Sequence, residues 1–381
     1  MSGIYIHIPF CKQACHYCDF HFSTSMKKKD DMILALAKEL GMRKPLDSAQ
    51  DDNIIETIYF GGGTPSVLSN EEINFLISEV YKHYKVVENP EITLEANPDD
   101  LSTERILELS KSPINRLSIG IQSFYEDDLK MMNRAHNSAE AKKCLEEATK
   151  YFDNISLDLI YGIPGLTDEM WKQNIQTALD FGIPHISSYA LTVEPKTALS
   201  KLIQTGKVAE PQDEAASNHF NILVEMLQKN GFIHYELSNF GKENYFSKNN
   251  SAYWLGKKYI GIGPSAHSYD GEKRGWNIAN NSLYLKAIQN DELPIETEIL
   301  TVSDRYNEYI MTGLRTIWGV SLERIKNEFG TEYLNYLQKQ SQKFLNDELL
   351  SIENNILKPT LKGKFLTDGI ASDLFYLNLE E

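Results

Sequence analysis

The sequence predicts an α/β fold, a partial TIM-like (β/α)6 barrel followed by a small C-terminal winged-helix-like α+β domain. Three observations predict it. Short β-branched runs alternate with longer amphipathic stretches, polar or glycine-rich segments follow the strand candidates, and the chain turns helical from about residue 300. Because periodicity does not decide whether a sheet closes, a doubly wound sheet remains the alternative.

The individual strands and helices are predicted from the spacing of the hydrophobic residues. The strand candidates are 3–8, 54–60, 91–95, 116–121, 155–161 and 185–191. The helix candidates between and after them are 30–44, 70–84, 102–111, 138–151, 168–182 and 212–230. Ser69 and Ser102 stand at helix starts, and Gly182 and Gly231 stand where helices should end. Such a β/α repeat implies a parallel sheet with right-handed crossovers.

We divide the chain into a barrel over 1–235, an extension over 236–299 and a C-terminal domain over 300–381. The extension contains an edge segment at 235–239 and two segments that read as loops because they are rich in turn residues, 249–254 and 261–268. The C-terminal domain is predicted to contain helices over 303–317, 321–329 and 331–346, two short strands around Lys362 and Gly363, and a last helix over 368–375.

Composition restricts the class of protein. With 41% hydrophobic and 24% charged residues, the chain is typical of soluble globular proteins. No apolar run approaches the roughly 20 residues of a membrane span. A strand from Gly3 leaves no room for a signal peptide, so we expect a cytoplasmic protein. The net charge of −16 disfavours nucleic-acid binding, which requires cations against phosphates.

Cys11, Cys15 and Cys18 have the spacing C-x3-C-x2-C directly after the first strand candidate. Three clustered thiols suit a soft metal site better than disulfides. They also leave a four-iron cluster with one open iron, where a substrate can bind. The alternative is a structural zinc with His7, His16 or His21 as its fourth ligand. Cys144 lies in the middle of a predicted helix and is interpreted as a small buried apolar residue.

Glycine-rich or polar segments follow several other strand candidates. Gly61, Gly62, Gly63 and Thr64 follow the second, Glu95 ends the third, Gln122 follows the fourth, and Asp158 lies in the fifth. The carboxyl ends of the strands form the active-site face of barrels of this kind. The sequence therefore predicts one site at that rim, next to the cysteines.

Taken together, these segments resemble a known family. The cysteine motif, the glycine segment at 61–65, and the segments at 5–10, 95–98, 119–124 and 158–164 resemble the radical S-adenosylmethionine (SAM) superfamily, in its oxygen-independent coproporphyrinogen-oxidase-like branch. The resemblance implies a radical SAM barrel with a [4Fe-4S] cluster on Cys11, Cys15 and Cys18. SAM would then bind the fourth iron, and an electron donor would reduce the cluster.

The resemblance also implies which residues bind the nucleotide. One SAM would contact Tyr5, Tyr17, Gly61, Gly62, Gly63, Thr64 and Glu95. A second SAM would contact Gln122, Arg134 and Asp158. Arg134 suits a carboxylate and Asp158 a hydroxyl or an ammonium group.

Within this branch the chain is more similar to the heme chaperones than to the oxidases. No segment precedes the first strand, and Phe20 stands where the oxidases carry an additional cysteine. The chaperone motif His-Asn-x-x-Tyr-Trp has Asn249 here in place of its histidine, and a carboxamide is a poor iron ligand. Tyr253, Trp254 and His267 therefore remain the candidates for heme contact.

Three functions follow from these observations. The first is a chaperone that binds heme or another tetrapyrrole and delivers it to an acceptor protein. The second is a radical SAM enzyme that forms a 5′-deoxyadenosyl radical and modifies a tetrapyrrole or another small molecule. The third is a zinc-stabilised binding protein without enzymatic activity.

Overall fold

The computed structural model describes residues 2–43 and 54–377; position 44 of the first predicted helix and positions 378–381 lie outside this range. All six predicted strands are present, and the third is longer than predicted. They are β1 Ser2–Ile8, β2 Ile55–Gly62, β3 Val86–Ala96, β4 Arg116–Gln122, β5 Ile155–Tyr161 and β6 His185–Ala190.

Each of these strands leads into one or two helices. They are α1 Lys29–Met42, α2 Asn70–His83, α3 Thr103–Leu109, α4 Glu126–Met131, α5 Ser138–Ala148, α6 Asp168–Asp180, α7 Ala198–Gln204 and α8 Asp213–Lys229. Ser69 forms a reciprocal capping box with Glu72 at the start of α2, and Ser102 caps α3. The short helices α4 and α7 are not among the predicted elements.

The extension adds further strands to both edges of this sheet. The first of these strands, β7 Ile233–Glu236, begins at the end of the barrel range. The elements that follow are β8 Asn239–Gly241, α9 Lys248–Trp254, β9 Tyr259–Ile262, β10 His267–Tyr269, β11 Lys273–Asn277, α10 Asn281–Gln289 and β12 Ile295–Ile299. The loop prediction for 249–254 is wrong, because these residues form α9. Ser247 caps this helix, and Glu91 of β3 accepts hydrogen bonds of 3.1 Å from the first backbone N–H groups. The prediction for 261–268 is wrong at its ends, which belong to β9 and β10.

The strand order separates the barrel from the doubly wound alternative. The twelve strands run β12-β11-β10-β9-β1-β2-β3-β4-β5-β6-β8-β7, and β1 to β6 are parallel neighbours in sequence order. A doubly wound sheet reverses its order at a switch point, and this one does not. Tyr5 of β1 and Tyr189 of β6 nevertheless line the same cavity, so the sheet curves around that space as a partial barrel.

The two faces of the parallel sheet differ in polarity. One face is apolar and packs in the main core with the helices; Ile4, Ile58 and Leu117 on it are fully buried. The other face is polar on every strand, for example at Tyr5 and Glu95. Parallel sheets are normally apolar on both faces. Because of this alternation, the concave face carries polar side chains that can contact a ligand, and it does not contribute to the apolar core.

The C-terminal domain has its own core and a three-stranded sheet of order β13-β15-β14. Its elements are α11 Val302–Leu314, β13 Val320–Ser321, α12 Leu322–Glu328, α13 Thr331–Asn346, β14 Leu350–Glu353, β15 Ile356–Pro359, α14 Leu361–Lys364 and α15 Thr367–Asp373. This is the predicted winged-helix-like arrangement of helices and a hairpin.

The predicted position of the hairpin is wrong. Asn354 and Asn355 both have positive φ, 51° and 64°, and they form the turn between β14 and β15. Two such residues between alternating runs are a hairpin signal. Lys362 and Gly363 instead lie in α14, which Thr360 caps.

Within residues 2–43 and 54–377, no helix combines the length and the apolar character needed to cross a bilayer.

Candidate functional site

The cysteine loop begins where β1 ends and is tied back to the sheet. Cys11 N donates to Ser23 O at 3.1 Å, and Ser23 N donates to Pro9 O at 3.0 Å. Cys11 is buried, Cys15 and Cys18 are partly buried, and all three are free thiols. The loop therefore presents three unpaired sulfurs at the carboxyl end of the first strand.

The electrostatic environment of Cys11 includes the other two cysteines of the loop. The pKa of Cys11 is raised to about 11, chiefly by burial, and repulsion from Cys18 and Cys15 contributes to this rise. A hydrogen bond with Thr64 opposes the rise in this pKa. A bare Cys11 thiol with this pKa stays protonated at neutral pH, so a thiolate there requires added positive charge. A bound metal cluster supplies that charge, and the donor set therefore fits one.

The histidines near the loop are engaged elsewhere. His7 Nδ1 lies 3.3 Å from the Tyr5 hydroxyl, and His7 Nε2 lies 2.9 Å from His21 O. His16 Nδ1 lies 2.8 Å from Met131 O. In the described part of the chain, no three His, Cys, Asp or Glu side chains converge on one metal ion. Two candidate fourth ligands of a zinc site, His7 and His16, are therefore already hydrogen-bonded to other groups.

The glycine segment after β2 packs against the same loop. Gly63 N donates to Ile8 O at 2.9 Å, and a Cβ on Gly63 would lie 2.6 Å from Phe10 O. Gly62 has a φ of +105°, and a Cβ there would lie 2.6 Å from His7 Cε1. Thr64 N donates to Phe10 O at 2.7 Å. Only glycine allows this close approach between the end of β2 and the start of the cysteine loop.

Glu95 and Asp158 are two acidic groups of the concave face whose pKa values are raised. The Tyr59 hydroxyl donates a hydrogen bond of 2.7 Å to Glu95 Oε1. Burial raises the pKa of Glu95 to about 7 and the pKa of Asp158 to about 6. Arg116 opposes both shifts through its positive charge. Two carboxyls that titrate near neutrality are typical of functional sites.

Arg134 joins the cysteine loop to the next strands. Its Nη1 lies 3.2 Å from Cys15 Sγ and 3.5 Å from the Tyr17 hydroxyl. Its Nη2 donates to Asn97 Oδ1 at 2.7 Å and to Gly120 O at 2.8 Å. The structure thus brings together the two sets of residues that the resemblance assigns to nucleotide binding.

Gln122 lies beside this arginine in a strained backbone conformation. Its φ is +69°, and the β4–β5 register shifts between Ile119 and Gln122. A Cβ on Gly120 would lie 2.9 Å from Gln122 Nε2 and 3.3 Å from Arg134 Nη2. The bulge therefore turns the Gln122 amide toward the Arg134 guanidinium.

A cavity of about 740 Å³ joins the cysteine loop to the extension. Asp19 and Phe20 of the loop line it, as does Glu95 on the concave face. On the opposite side it is lined by Tyr253, Trp254 and His267. The three candidates for heme contact therefore share one space with the predicted nucleotide site.

The candidate contacts in this cavity differ in geometry. The rings of Tyr253 and Trp254 are 5.1 Å apart and meet at 86°, so they cannot both lie flat on the same planar ligand. His267 is exposed and makes no hydrogen bond within the described residues. Asn249 also lines this cavity, and its Oδ1 accepts a hydrogen bond of 3.0 Å from the Thr57 hydroxyl.

Several residues of the site were not predicted. Arg116 is 2% exposed and its Nε has no hydrogen-bond partner among the described residues. Arg274 and Arg315 line the cavity from the extension and the C-terminal domain. The polar positions on alternate residues of each parallel strand are the signal that would have found Arg116. The other two arginines have no local pattern.

Comparisons with known proteins agree with this geometry. The family model of the Radical SAM superfamily matches residues 5–178, and that of the HemN C-terminal domain matches residues 300–366. The chain is 36% identical to the heme chaperone HemW of Bacillus subtilis over 87% of each chain. It is 34% identical to the heme chaperone HemW of Lactococcus lactis, over 97% of this chain and 98% of that one.

A solved structure agrees at the level of the fold. Coproporphyrinogen III oxidase (HemN) from Escherichia coli, a radical SAM enzyme, superposes with a TM-score of 0.85 at 20% identity. The match covers 98% of this chain and 89% of that chain. At this identity the likeness shows the architecture alone, while the relatives above share both sequence and length. This chain therefore belongs to the radical SAM superfamily and, within it, to the heme chaperone HemW family.

Proposed function

We propose that this chain is a heme chaperone that carries a [4Fe-4S] cluster and SAM and transfers heme to an acceptor protein. The observation that carries this proposal is the single cavity that connects the cysteine loop and Glu95 with Tyr253, Trp254 and His267. Its volume of about 740 Å³ lies within the usual range for small-molecule and cofactor sites. The HemW relatives, which are named as heme chaperones, support the same function.

Cys11, Cys15 and Cys18 would hold the cluster, and the thiol environment described above supports this assignment. When bound, the reduced cluster would supply the electron that cleaves the carbon–sulfur bond of SAM. An external electron donor is therefore a required partner. The unpaired state of all four cysteines fits the reducing cytoplasm.

The protein's own groups would position the nucleotide. The glycine segment leaves room for the methionine end of SAM beside the cysteine loop, next to Thr64. Ionised Glu95 would bind a ribose hydroxyl or the ammonium group, while Tyr5 and Tyr17 would line the methionine and adenine parts. A second SAM would use Gln122, Arg134 and Asp158, and the proximity of Arg134 to Cys15 and Tyr17 supports this proposal.

For heme, His267 is the best iron ligand of the cavity. Its imidazole makes no hydrogen bond in the described structure, whereas both nitrogens of His7 are engaged. Imidazole is a common axial ligand of heme iron. Because their planes are perpendicular, only one of Tyr253 and Trp254 would stack on the porphyrin face.

A second candidate function is a radical SAM enzyme that acts on a tetrapyrrole or another small molecule. The two carboxyls that titrate near neutrality, Glu95 and Asp158, favour this alternative because perturbed acids often mark catalytic sites. An enzyme would release 5′-deoxyadenosine in proportion to substrate, whereas a carrier would not.

One reconstituted sample tests these alternatives. After anaerobic reconstitution, hemin is titrated while the Soret band is recorded, and 5′-deoxyadenosine is measured with SAM and dithionite. We expect a one-to-one Soret change that His267→Ala shifts or abolishes. His83→Ala, a change on α2 away from the cavity, is the control. The absence of any stoichiometric Soret change in the wild-type protein would rule out the chaperone function.

A further inference from the structure

The cavity end that holds His267 collects positive charge in a chain whose net charge is −16. Four cations line the cavity, and they are Lys257, Lys258, Arg274 and Arg315. Two of them form ion pairs with carboxylates. Lys257 lies 3.5 Å from Glu56, and Arg315 contacts both Glu236 and Asp368. Lys258 forms no ion pair among the described residues, and the single acidic partner of Arg274, Glu308, contacts only one end of its guanidinium.

Arg274 has few partners in the described structure. Its Nη2 lies 2.8 Å from Glu308 Oε1, and this ion pair is its only polar contact within residues 2–43 and 54–377. A guanidinium has five N–H donors, and here Nε has no partner. Lys258 is exposed and forms no ion pair in the same part of the chain. Lys258 can therefore bind an anion directly, and Arg274 can bind one through N–H groups other than the Nη2 that contacts Glu308.

The strand register places Arg274 next to the proposed iron ligand. In the antiparallel β10–β11 pair, His267 is opposite Trp276 and Tyr269 is opposite Arg274. Opposite residues and residues two apart share a face, so His267 and Arg274 are diagonal neighbours. Contacts on that face agree, since the His267 and Trp276 rings are 6.3 Å apart and the Arg274 Cζ lies 5.9 Å from the Tyr269 ring centre.

We propose that Arg274 and Lys258 bind the carboxylate side chains of an anionic tetrapyrrole whose iron faces His267. This inference rests on the proposed function, because it assumes that the tetrapyrrole occupies this cavity. Diagonal neighbours on a hairpin are separated by about 7–8 Å, a distance comparable with that from the centre of a porphyrin to its edge. The planar guanidinium of Arg274 has paired N–H donors that match the two oxygens of a carboxylate. The ammonium group of Lys258 supplies a positive charge for a second carboxylate.

The test measures the affinity of two ligands for each of three proteins. Hemin and its dimethyl ester, which lacks the carboxylate charges, are titrated into the wild-type protein, Arg274→Met and Arg324→Met. Arg324 is the matched control, because it stacks over Tyr309 and lines a neighbouring cavity but not this one. We expect esterification to weaken wild-type binding by roughly tenfold or more. Arg274→Met should weaken the binding of hemin by a similar factor and leave the affinity for the ester unchanged.

Lys258→Met should produce a smaller loss of the same kind, since its charge is more exposed. Equal wild-type affinities for hemin and its ester would overturn the inference while leaving the proposed function intact. This comparison uses the unmodified protein, so it holds even where a variant folds poorly. Binding of neither ligand would overturn both proposals.

Discussion

Arg315 of the C-terminal domain lies 3.2 Å from the carboxylate of Glu236, which is 1% exposed at the end of β7. The same guanidinium stands 5.0 Å from the centre of the Trp254 ring, on the wall of the cavity. One side chain therefore links the C-terminal domain, the edge of the sheet and the proposed heme site.

Arg315→Met should destabilise the protein by about 3–5 kcal/mol, because it leaves a buried carboxylate without its cation. Urea unfolding measures this loss. Lys343→Met, which breaks the exposed pair with Asp373, should cost less than about 1 kcal/mol and serves as the control. Adding Glu236→Gln to Arg315→Met should recover part of the loss, and no recovery would show that the ion pair is not the cause.

The three loop cysteines and Cys144 should behave differently. Replacing Cys11, Cys15 and Cys18 by alanine should abolish the broad absorption near ~400 nm of the reconstituted cluster. Cys144→Ala should retain the absorption and cost about 1 kcal/mol of stability, because this thiol is 3% exposed in the apolar contacts of α5. Iron and sulfide analysis checks the result, and full iron content in the triple variant would contradict the assignment.

SAM affinity should depend on pH through Glu95. The pKa of Glu95 is about 7, above the ordinary value of 4.5. Between about pH 4.5 and pH 7 the carboxyl is therefore mostly protonated in the free protein. Cationic groups of SAM favour the carboxylate. Affinity should therefore fall as pH decreases below about 7, by up to tenfold per pH unit.

Equilibrium dialysis from about pH 5.5 to about pH 8.5 measures this profile. Glu95→Gln should weaken binding and remove the inflection near pH 7, while the inflection from Asp158 near pH 6 remains. Glu91→Gln, four residues earlier on β3, removes a cap of α9 and should keep both inflections. An unchanged profile in Glu95→Gln would assign the proton to another group.

Gly62→Ala tests the close approach of β2 to the cysteine loop. The substitution combines a positive φ with a contact of 2.6 Å to His7, so we expect a loss of more than about 2 kcal/mol and poor cluster retention. Gly165→Ala shares the positive φ but has nothing within 4 Å, and it should cost only about 1 kcal/mol. Thermal unfolding distinguishes the two, and equal effects would mean that backbone strain alone acts at Gly62.

The sequence was sufficient for features that are local. Periodicity predicted the six strands, all of which are present. The metal role of Cys11, Cys15 and Cys18 stays a prediction, and the structure shows that the three thiols are unpaired. Features that depend on distant partners were missed. Helix α9 begins at a carboxylate from Glu91, more than 150 positions earlier, and no local pattern contains that contact. The hairpin is predictable from its turn residues Asn354 and Asn355, whereas Gly363 lies in α14.

The cationic residues of the cavity show the same limit. Arg116, Arg274 and Arg315 are single residues in unremarkable sequence, and only the fold reveals what each faces. Arg116 belongs to a polar alternation that is unusual for a buried parallel strand, so its orientation was predictable in principle. The positions of Arg274 and Arg315 depend on how the extension and the C-terminal domain pack.

The strands β1 and β6 do not pair with each other. Their outer edges are occupied by β9 and β8, so the curved sheet has a seam instead of a closed ring of hydrogen bonds. Hydrogen bonds between all neighbouring strands fix the diameter of a closed barrel. In an open barrel, the two strands at the seam can move apart without breaking a hydrogen bond between strands. Under the proposed function, this seam would be the place at which a planar ligand enters and leaves the cavity edgewise.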